Sequence, residues 1–323
     1  MAHSVSQPVQ DRSLLSSETP GSKPKQTFNV REITEDELEK VCWVVSKAFL
    51  DDRVASFCGG FTEYPKTRLS PEGMKVHHMY SFIVKSCFYS GGRIVVATAT
   101  SESTTVKGQR PGTPPSDSAK QKGEEVITAV ICWEPPSKRV NIWNVPLTIR
   151  SGGLHVLKGS GISGFMRILD FMSLTEKTHK GAFKDSKHLK KVGNKTRKMT
   201  PDDAWYLMMV MTVKEFEGQG CLSLLVREGY SYAQSVASAE QVPFILESSS
   251  VRSRDRYAHL GFEIENQPKT VLGRGKFDSR GWKLNKEAIS HLKGKNKDAE
   301  RESTGVEYWC MVNWDPQAPK RGE

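Results

Sequence analysis

The chain of 323 residues predicts a mixed α/β architecture of the α+β kind, with about seven strands and at least four helices. Three observations carry this. Short runs rich in β-branched residues, such as 93-RIVVATA-99 and 126-VITAVICWE-134, read as strands. Between others lie segments whose apolar residues recur every three to four positions, the period of a helix with one buried face. The two kinds of element do not alternate strictly, which separates the chain from a doubly wound sheet.

Taken in order, 27-TFNVREI-33 alternates as a strand. Thr34 and Glu37 then form a capping box ahead of Leu38, Val41, Cys42, Val45, Ala48 and Phe49, one face of a helix. A second helix spans 73–91 and stops at Gly91-Gly92. The strands 93–99 and 126–134 follow as a hairpin with a long Ser/Thr/Gly/Pro-rich tip. After Pro135-Pro136, 160-SGISGFMRILDFMSLTEKTHK-180 is helical, and 204-AWYLMMVMTV-213 is a central strand. Leu222, Leu225, Val226, Ala233 and Val236 mark the next helix. Strand 243–248, helix 252–260 stopped by Gly261, strand 262–266 and strand 306–314 complete the series.

One domain over 27–314 is expected. An arm (1–26), insertions at about 100–125 and 267–304, and a tail (315–323) lack any hydrophobic period. The arm has no apolar core like that of a signal peptide. No window reaches the roughly 18 consecutive apolar residues of a membrane span, so a soluble protein with no membrane partner is expected. The six cysteines are scattered without a CxxC pair. They suit reduced core thiols, with no metal site, in a cytoplasmic or nuclear setting. The net charge of +10 is concentrated in two runs, 177–198, with nine Lys/Arg against Asp185, and 269–301. Neither is interleaved with stacking aromatics, so a solvated face is expected before a nucleic-acid surface, with screening of an anionic ligand as the alternative.

The stretch 213-VKEFEGQGCLSLLV-226 carries the most chemistry. A buried strand breaks into a charged turn with Gly218 and Gly220, and a helix resumes at once. Glycines here allow a tight turn and let backbone N–H groups approach an anion at a helix N-terminus. The alternative is a turn that is merely tight. A third glycine is missing at Ser223 and no Gly-Lys-Ser/Thr follows, which excludes the dinucleotide fingerprint and the P-loop.

This strand, turn and helix resemble the acyl-CoA-binding motif of the GCN5-related N-acetyltransferases, whose pattern is Gln/Arg-x-x-Gly-x-Gly/Ala. Gly220 matches its fourth position; Glu217 and Leu222 depart at the first and sixth. Four further regions extend the resemblance in order: 28–52, 128-TAVICWEPP-136, 245-ILESSSVRSRDRYAHLGFEIE-265 and 307-EYWCMVNW-314. The likeness is greatest to the family's fungal branch. It implies a mixed, strongly twisted central sheet whose two middle strands splay apart. It also implies acetyl-CoA as donor: Met211, Thr212 and Val213 pair with its pantetheine amides, and Gly218, Gln219, Gly220, Cys221, Leu222 and Ser223 hold its pyrophosphate.

Acetyl transfer from a thioester to an amine needs a neutral amine and a stabilised leaving thiolate. The resemblance makes Tyr257 the donor to that thiolate. The central strand holds no acid or histidine, so Glu247 on the next strand is the candidate base, with a water chain or a purely structural Glu247 as alternatives. Histidines 77, 78, 179, 188 and 259 show no pairing with Cys or Asp that suggests a hydrolytic triad. Cys221 at a helix start is read as a small filler. Trp43, Phe49, Trp133, Trp143 and Trp205 either line an acceptor pocket or pack as core, with 161–172 as its cover.

The expected activity is direct N-acetylation of a small-molecule amine by a monomer or homodimer. Acetylation of a protein or peptide is the alternative. A non-catalytic acyl-CoA-binding scaffold is the rival, favoured by Glu217, Leu222 and the acid-free strand.

Overall fold

The computed structural model describes residues 27–100, 125–236, 242–265, 269–293 and 304–316. The expected arm at 1–26, nearly all of the insertion at 100–125, parts of that at 267–304 and most of the tail lie outside these residues.

The chain begins with β1 (Asn29–Glu32), α1 (Leu38–Ala48), α2 (Arg53–Gly59) and α3 (Pro71–Tyr89). β1 is anchored by Arg31, whose guanidinium meets Glu37 at 2.6 Å and Glu125 at 2.8 Å. The Thr34–Glu37 capping box forms as expected, on a single 3₁₀ turn that leads into α1. Ser70 caps α3 by accepting from Gly73 N–H.

The strands β2 (Arg93–Thr100) and β3 (Glu125–Glu134) form the predicted hairpin. There follow α4 (Val145–Arg150), α5 (Gly153–Asp185), a hairpin of β4 (Leu189–Val192) and β5 (Lys195–Lys198), the central β6 (Trp205–Thr212) and α6 (Cys221–Val236). Last come β7 (Phe244–Ser248), α7 (Val251–His259), β8 (Glu263–Ile264), β9 (Thr270–Leu272), α8 (Lys286–Lys293) and β10 (Val306–Asn313).

Eight strands form one mixed sheet in the order β1-β2-β3-β6-β7-β10-β8, with β9 also on β10. Every pairing is antiparallel except β6 with β7. That parallel pairing runs only from Trp205↔Phe244 to Leu207↔Leu246 and then ends. The ladder to β3 skips Met208, with Leu207 opposite Trp133 and Met209 opposite Cys132. A bulge of this kind bends and twists its strand. β6 therefore turns away from β7 at the residue where their pairing stops, the splayed central pair that the resemblance implies.

Alternation along the strands gives the sheet two covered faces. Trp133, Trp205, Leu207, Phe244 and Leu246 pack beneath α6 and α7 with Leu225, Tyr257 and Phe262. On the other face Val96, Val130, Met209 and Met211 pack against α1 and α3. Farther along, Ile245, Cys310 and Val312 meet Ala182 and Phe183 of α5. Trp133 and Trp205 are thus core, and Trp133, 1% exposed, is the largest wholly buried side chain.

Several elements differ from the sequence reading. The basic run 177–198 holds the β4–β5 hairpin, whose β5 residues are all exposed. Arg197 ties it down by a bidentate pair with Asp203 at 2.6 and 2.7 Å. The region 267–304, expected to be an unpatterned insertion, contributes β9, α8 and the core residues Leu272 and Phe277. Its few apolar residues are too far apart to show a period.

Gly229 of α6 lies against the Trp133 ring; a Cβ there would meet the indole at 2.7 Å. Gly229→Leu should lower stability by about 1–3 kcal/mol through overpacking. Urea unfolding of parent and variant measures this, and equal midpoints would contradict it.

Candidate active site

The gap between β6 and β7 has an open backbone edge. Val213 N–H donates to Thr128 O at 2.8 Å, so Val213 and, by alternation, Met211 turn their backbone groups toward β3. Val210 and Thr212 then face the gap. Of the three strand residues expected to meet a pantetheine chain, Thr212 has this orientation; Val210 joins it, and Met211 and Val213 do not. Strand assignment alone does not fix that parity; the bulge and the ladder to β3 do.

Beyond Thr212 a 3₁₀ turn over Lys214–Phe216 leads to Glu217 and the glycines. Gly218 and Gly220 have φ of +80° and +85°, where a side chain would strain the backbone. Neither Cβ position would meet an atom within 4 Å, so the turn stands open. Gln219 N–H bonds Phe216 O weakly at 3.4 Å, and its side chain reaches Glu215 O. Among the described residues no acceptor meets the N–H groups of Gly218, Gly220, Leu222 or Ser223, and that of Cys221 meets its own sulfur. Four unengaged donors at the start of a 16-residue helix make a cradle for an anion.

The two departures from the motif have structural answers. Leu222 turns its side chain into the core beneath α6, and its N–H is as available as a glycine's. Glu217 pairs with Arg252 of α7 at 2.8 Å, rather than with Lys214 beside it. This neutralises the carboxylate and ties the turn to α7 across the mouth of the gap. Cys221 is buried in the core with its sulfur 3.9 Å from Thr128 Oγ1. Burial pushes the thiol up despite its helix-start position, so the side chain fills space and stays protonated.

Tyr257 and Glu247 lie on opposite faces of the sheet. Tyr257 packs edge-on to Phe262 on the α6 side, and burial raises its phenol well above the ordinary value. Among the described residues no acceptor meets its hydroxyl. Glu247, one residue past the last β6–β7 pair, points to the α5 side. There His179 of α5 donates from Nε2 to Glu247 Oε1. Tyr206 donates its hydroxyl to Glu247 Oε2 at 2.7 Å. Burial, and then the Glu247 charge, push the Tyr206 phenol up, so it remains a donor.

The pairing of His179 with a glutamate, as distinct from the Cys or Asp pairing of a hydrolytic triad, is one the sequence reading did not foresee. Its signal was present: Ile168, Phe171, Thr175, His179 and Phe183 recur at three and four residues on the packed face of α5. What sequence could not supply was the strand that this face would meet. Cys310, opposite Glu247 in the β7–β10 register, completes a group whose donor atoms lie within 4.8 Å of one another. Burial pushes the Cys310 thiol up, so it stays protonated.

Glu134, 1% exposed, stands beside this group at the end of β3, opposite Tyr206. Its Oε1 accepts from Val140 N–H at 3.0 Å. Arg139 lies 3.9 Å from its other oxygen and donates to four carbonyls, those of Glu134, Pro135, Pro201 and Ala204. Burial outweighs these partners and pushes the Glu134 carboxyl up to about 7. The remaining aromatics named for a pocket are apart from it: Trp43 stacks on His77 at 3.7 Å, Phe49 on Tyr80 at 4.3 Å, and Trp143 is 75% exposed.

No protein-family model and no curated protein matches the chain. Among solved structures, a polyamine N-acetyltransferase of Drosophila melanogaster that forms N-acetylagmatine overlaps with a TM-score of 0.43 at 10% identity, over 88% of this chain and 99% of that one. An arylalkylamine N-acetyltransferase of Aedes aegypti gives 0.43 and 10%, over 88% and 97%. A Corynebacterium glutamicum structure described as histone acetyltransferase HPA2 and related acetyltransferase gives 0.39 and 16%, over 90% and 98%. Likeness at this level assigns no substrate.

The folded Glu134 takes up a proton that an unfolded glutamate, at about 4.5, has released. Its contribution to stability is present below about pH 4.5 and is lost as pH rises toward 7. Glu134→Gln cannot ionise, so the Tm of the variant minus that of the parent should rise between about pH 5 and pH 8. A constant difference across that range counts against a buried, late-ionising Glu134.

Proposed function

We propose that the chain is an acetyl-CoA-dependent N-acetyltransferase that passes the acetyl group directly to the amine of a small molecule. The observation that carries this reading is the splayed β6–β7 pair, with an unspent amide cradle at its mouth and a partnered carboxylate, Glu247, at its apex. The residues fit the donor: four free N–H groups suit a pyrophosphate, and the edge at Val210 and Thr212 suits the amides of a pantetheine chain. Bound there, acetyl-CoA supplies an activated thioester.

The division of faces suits the reaction. A carbonyl lying in the gap is open to Glu247 from the α5 side and to Tyr257 from the α6 side. An alkylamine arrives protonated and must lose a proton before it attacks. Glu247 accepts that proton, since each of its oxygens keeps a lone pair beyond the one engaged by His179 or Tyr206. His179 and Tyr206 hold the carboxylate in one orientation.

Tyr257 serves the leaving group. Its phenol, raised above about 10, cannot give a proton outright to a thiolate of about 8.5 without an uphill step. It stabilises that thiolate by a hydrogen bond instead. The paired carboxylate and histidine at the apex favour turnover over a scaffold that only binds.

Calorimetric titration with acetyl-CoA and thiol-release assays over a panel of amines test the reading. Gly220→Val, forcing a β-branched residue to φ of +85°, should abolish acetyl-CoA binding. Unaltered affinity would place the donor elsewhere. Glu247→Gln should leave that affinity unchanged while kcat falls by about 10²–10⁴-fold. Undiminished turnover removes Glu247 as the base. Arg252→Ala, which frees the Glu217 charge beside the cradle, should weaken binding by roughly 1 kcal/mol, about fivefold, more at low salt than at high.

A further inference from the structure

The segment before the candidate site exposes apolar side chains out of proportion to its place in a packed domain. Trp143 is 75% exposed, Ile162 77%, and Val145 and Leu154 59% each, with Ile149 and Met166 above half. Single exposed apolar residues are ordinary; this many within 24 residues form a patch. Loose packing is not the cause. The same helix buries Val156 and packs Ile168 and Phe171 against the core, so the first half of α5 is apolar on both its covered and its uncovered face.

The backbone presents these residues outward. Val145 and Ile149 lie one turn apart on α4, Leu154 and Leu157 one turn apart at the start of α5, which packs on α4, and Ile162 follows just beyond a kink in α5. At Gly161 the helix kinks with φ of +65°, and no atom lies within 4 Å of its Cβ position. Ile162, the most exposed aliphatic residue among the described residues, directly follows this kink.

Charge identifies what covers the patch. From Pro135 to Leu169 there is no Asp or Glu, while Lys138, Arg139, Arg150, Lys158 and Arg167 are all present. Arg139 and Arg167 turn inward to backbone carbonyls. Lys138, Arg150 and Lys158 remain exposed around the apolar residues. Arg150 stacks on the Tyr89 ring at 3.9 Å and pairs with Glu35 at 3.6 Å, both outside the segment, and its side chain is still 63% exposed. A second copy of the chain would bring these cations against one another with no acid in the patch to pair them. A phospholipid surface with anionic headgroups suits both parts: aliphatic side chains and a tryptophan enter the acyl boundary, and cations lie among the phosphates.

We propose that residues 141–166 dock the protein peripherally on an anionic membrane surface, led by Trp143, Leu154 and Ile162, with Arg150 and Lys158 at the headgroups. No helix among the described residues is long and apolar enough to cross a membrane, and docking of this kind needs none. The proposal does not rest on the acetyltransferase reading.

Vesicle flotation of the full chain tests it, with phosphatidylcholine alone and with roughly 30% phosphatidylserine added. Binding should require the anionic lipid and weaken as salt is raised. Trp143→Ser with Ile162→Ser should reduce it at least about tenfold at an unchanged Tm. Arg150→Glu with Lys158→Glu, which leaves the apolar residues intact, should reduce it comparably and serves if the first variant folds poorly. Absence of binding to either vesicle overturns the proposal, as does full binding by both variants. A parent dimer that the Trp143 and Ile162 changes convert to monomer would assign the patch to a second copy, and capture of an acidic protein in place of vesicles would assign it to that partner.

Discussion

The parting of β6 from β7 beyond Leu207 and Leu246 is the constraint from which the rest of the site follows. Two parallel strands inside a sheet ordinarily satisfy each other's backbone groups. Here a single skipped residue, Met208, bends one strand away and leaves an edge in the interior of the sheet. An interior edge is costly unless something pairs with it. The sheet is therefore built around an absent strand, the place proposed above for an extended, amide-bearing ligand. The packing on both faces holds the gap open: Trp133 and Leu225 below, Met209 and Met211 above, all buried.

The electrostatics are arranged about the same gap. At its mouth, positive potential comes from unspent amides, and the one misplaced carboxylate, Glu217, is cancelled by Arg252. At its apex, a histidine, a phenol and two glutamates share a dry region, with Arg139 committed to carbonyls nearby. Burial raises the Glu134 carboxyl toward neutrality, which lowers the charge held in this region.

Much of this was legible from sequence because it is local. Capping at Thr34, the β-branched hairpin, the glycine turn and the helix stop at Gly261 each depend on a few adjacent residues, and each forms. Pairing between distant residues was not legible. The partnership of His179 with Glu247 spans 68 positions, and Arg252 reaches Glu217 across 35. The parity of Thr212 against Met211 depends on a bulge that no composition reveals. The short β9 and the lysine-rich β4–β5 hairpin were missed for a different reason: their apolar content is too small to show a period, and sheet edges and ion pairs hold them instead.

The kinked helix α5 has a consequence for how such a site changes over time. On the proposed reading, the backbone groups that hold the donor's pantetheine and pyrophosphate lie on β6, the glycine turn and the first turn of α6, contiguous from Val210 to Ser223. The face proposed for the acceptor draws His179 from a helix laid across the outside of the sheet. On that reading the two halves are separately heritable: residues on one face of α5 can drift, and the choice of acceptor with them, while the strand and turn proposed for the donor stay fixed.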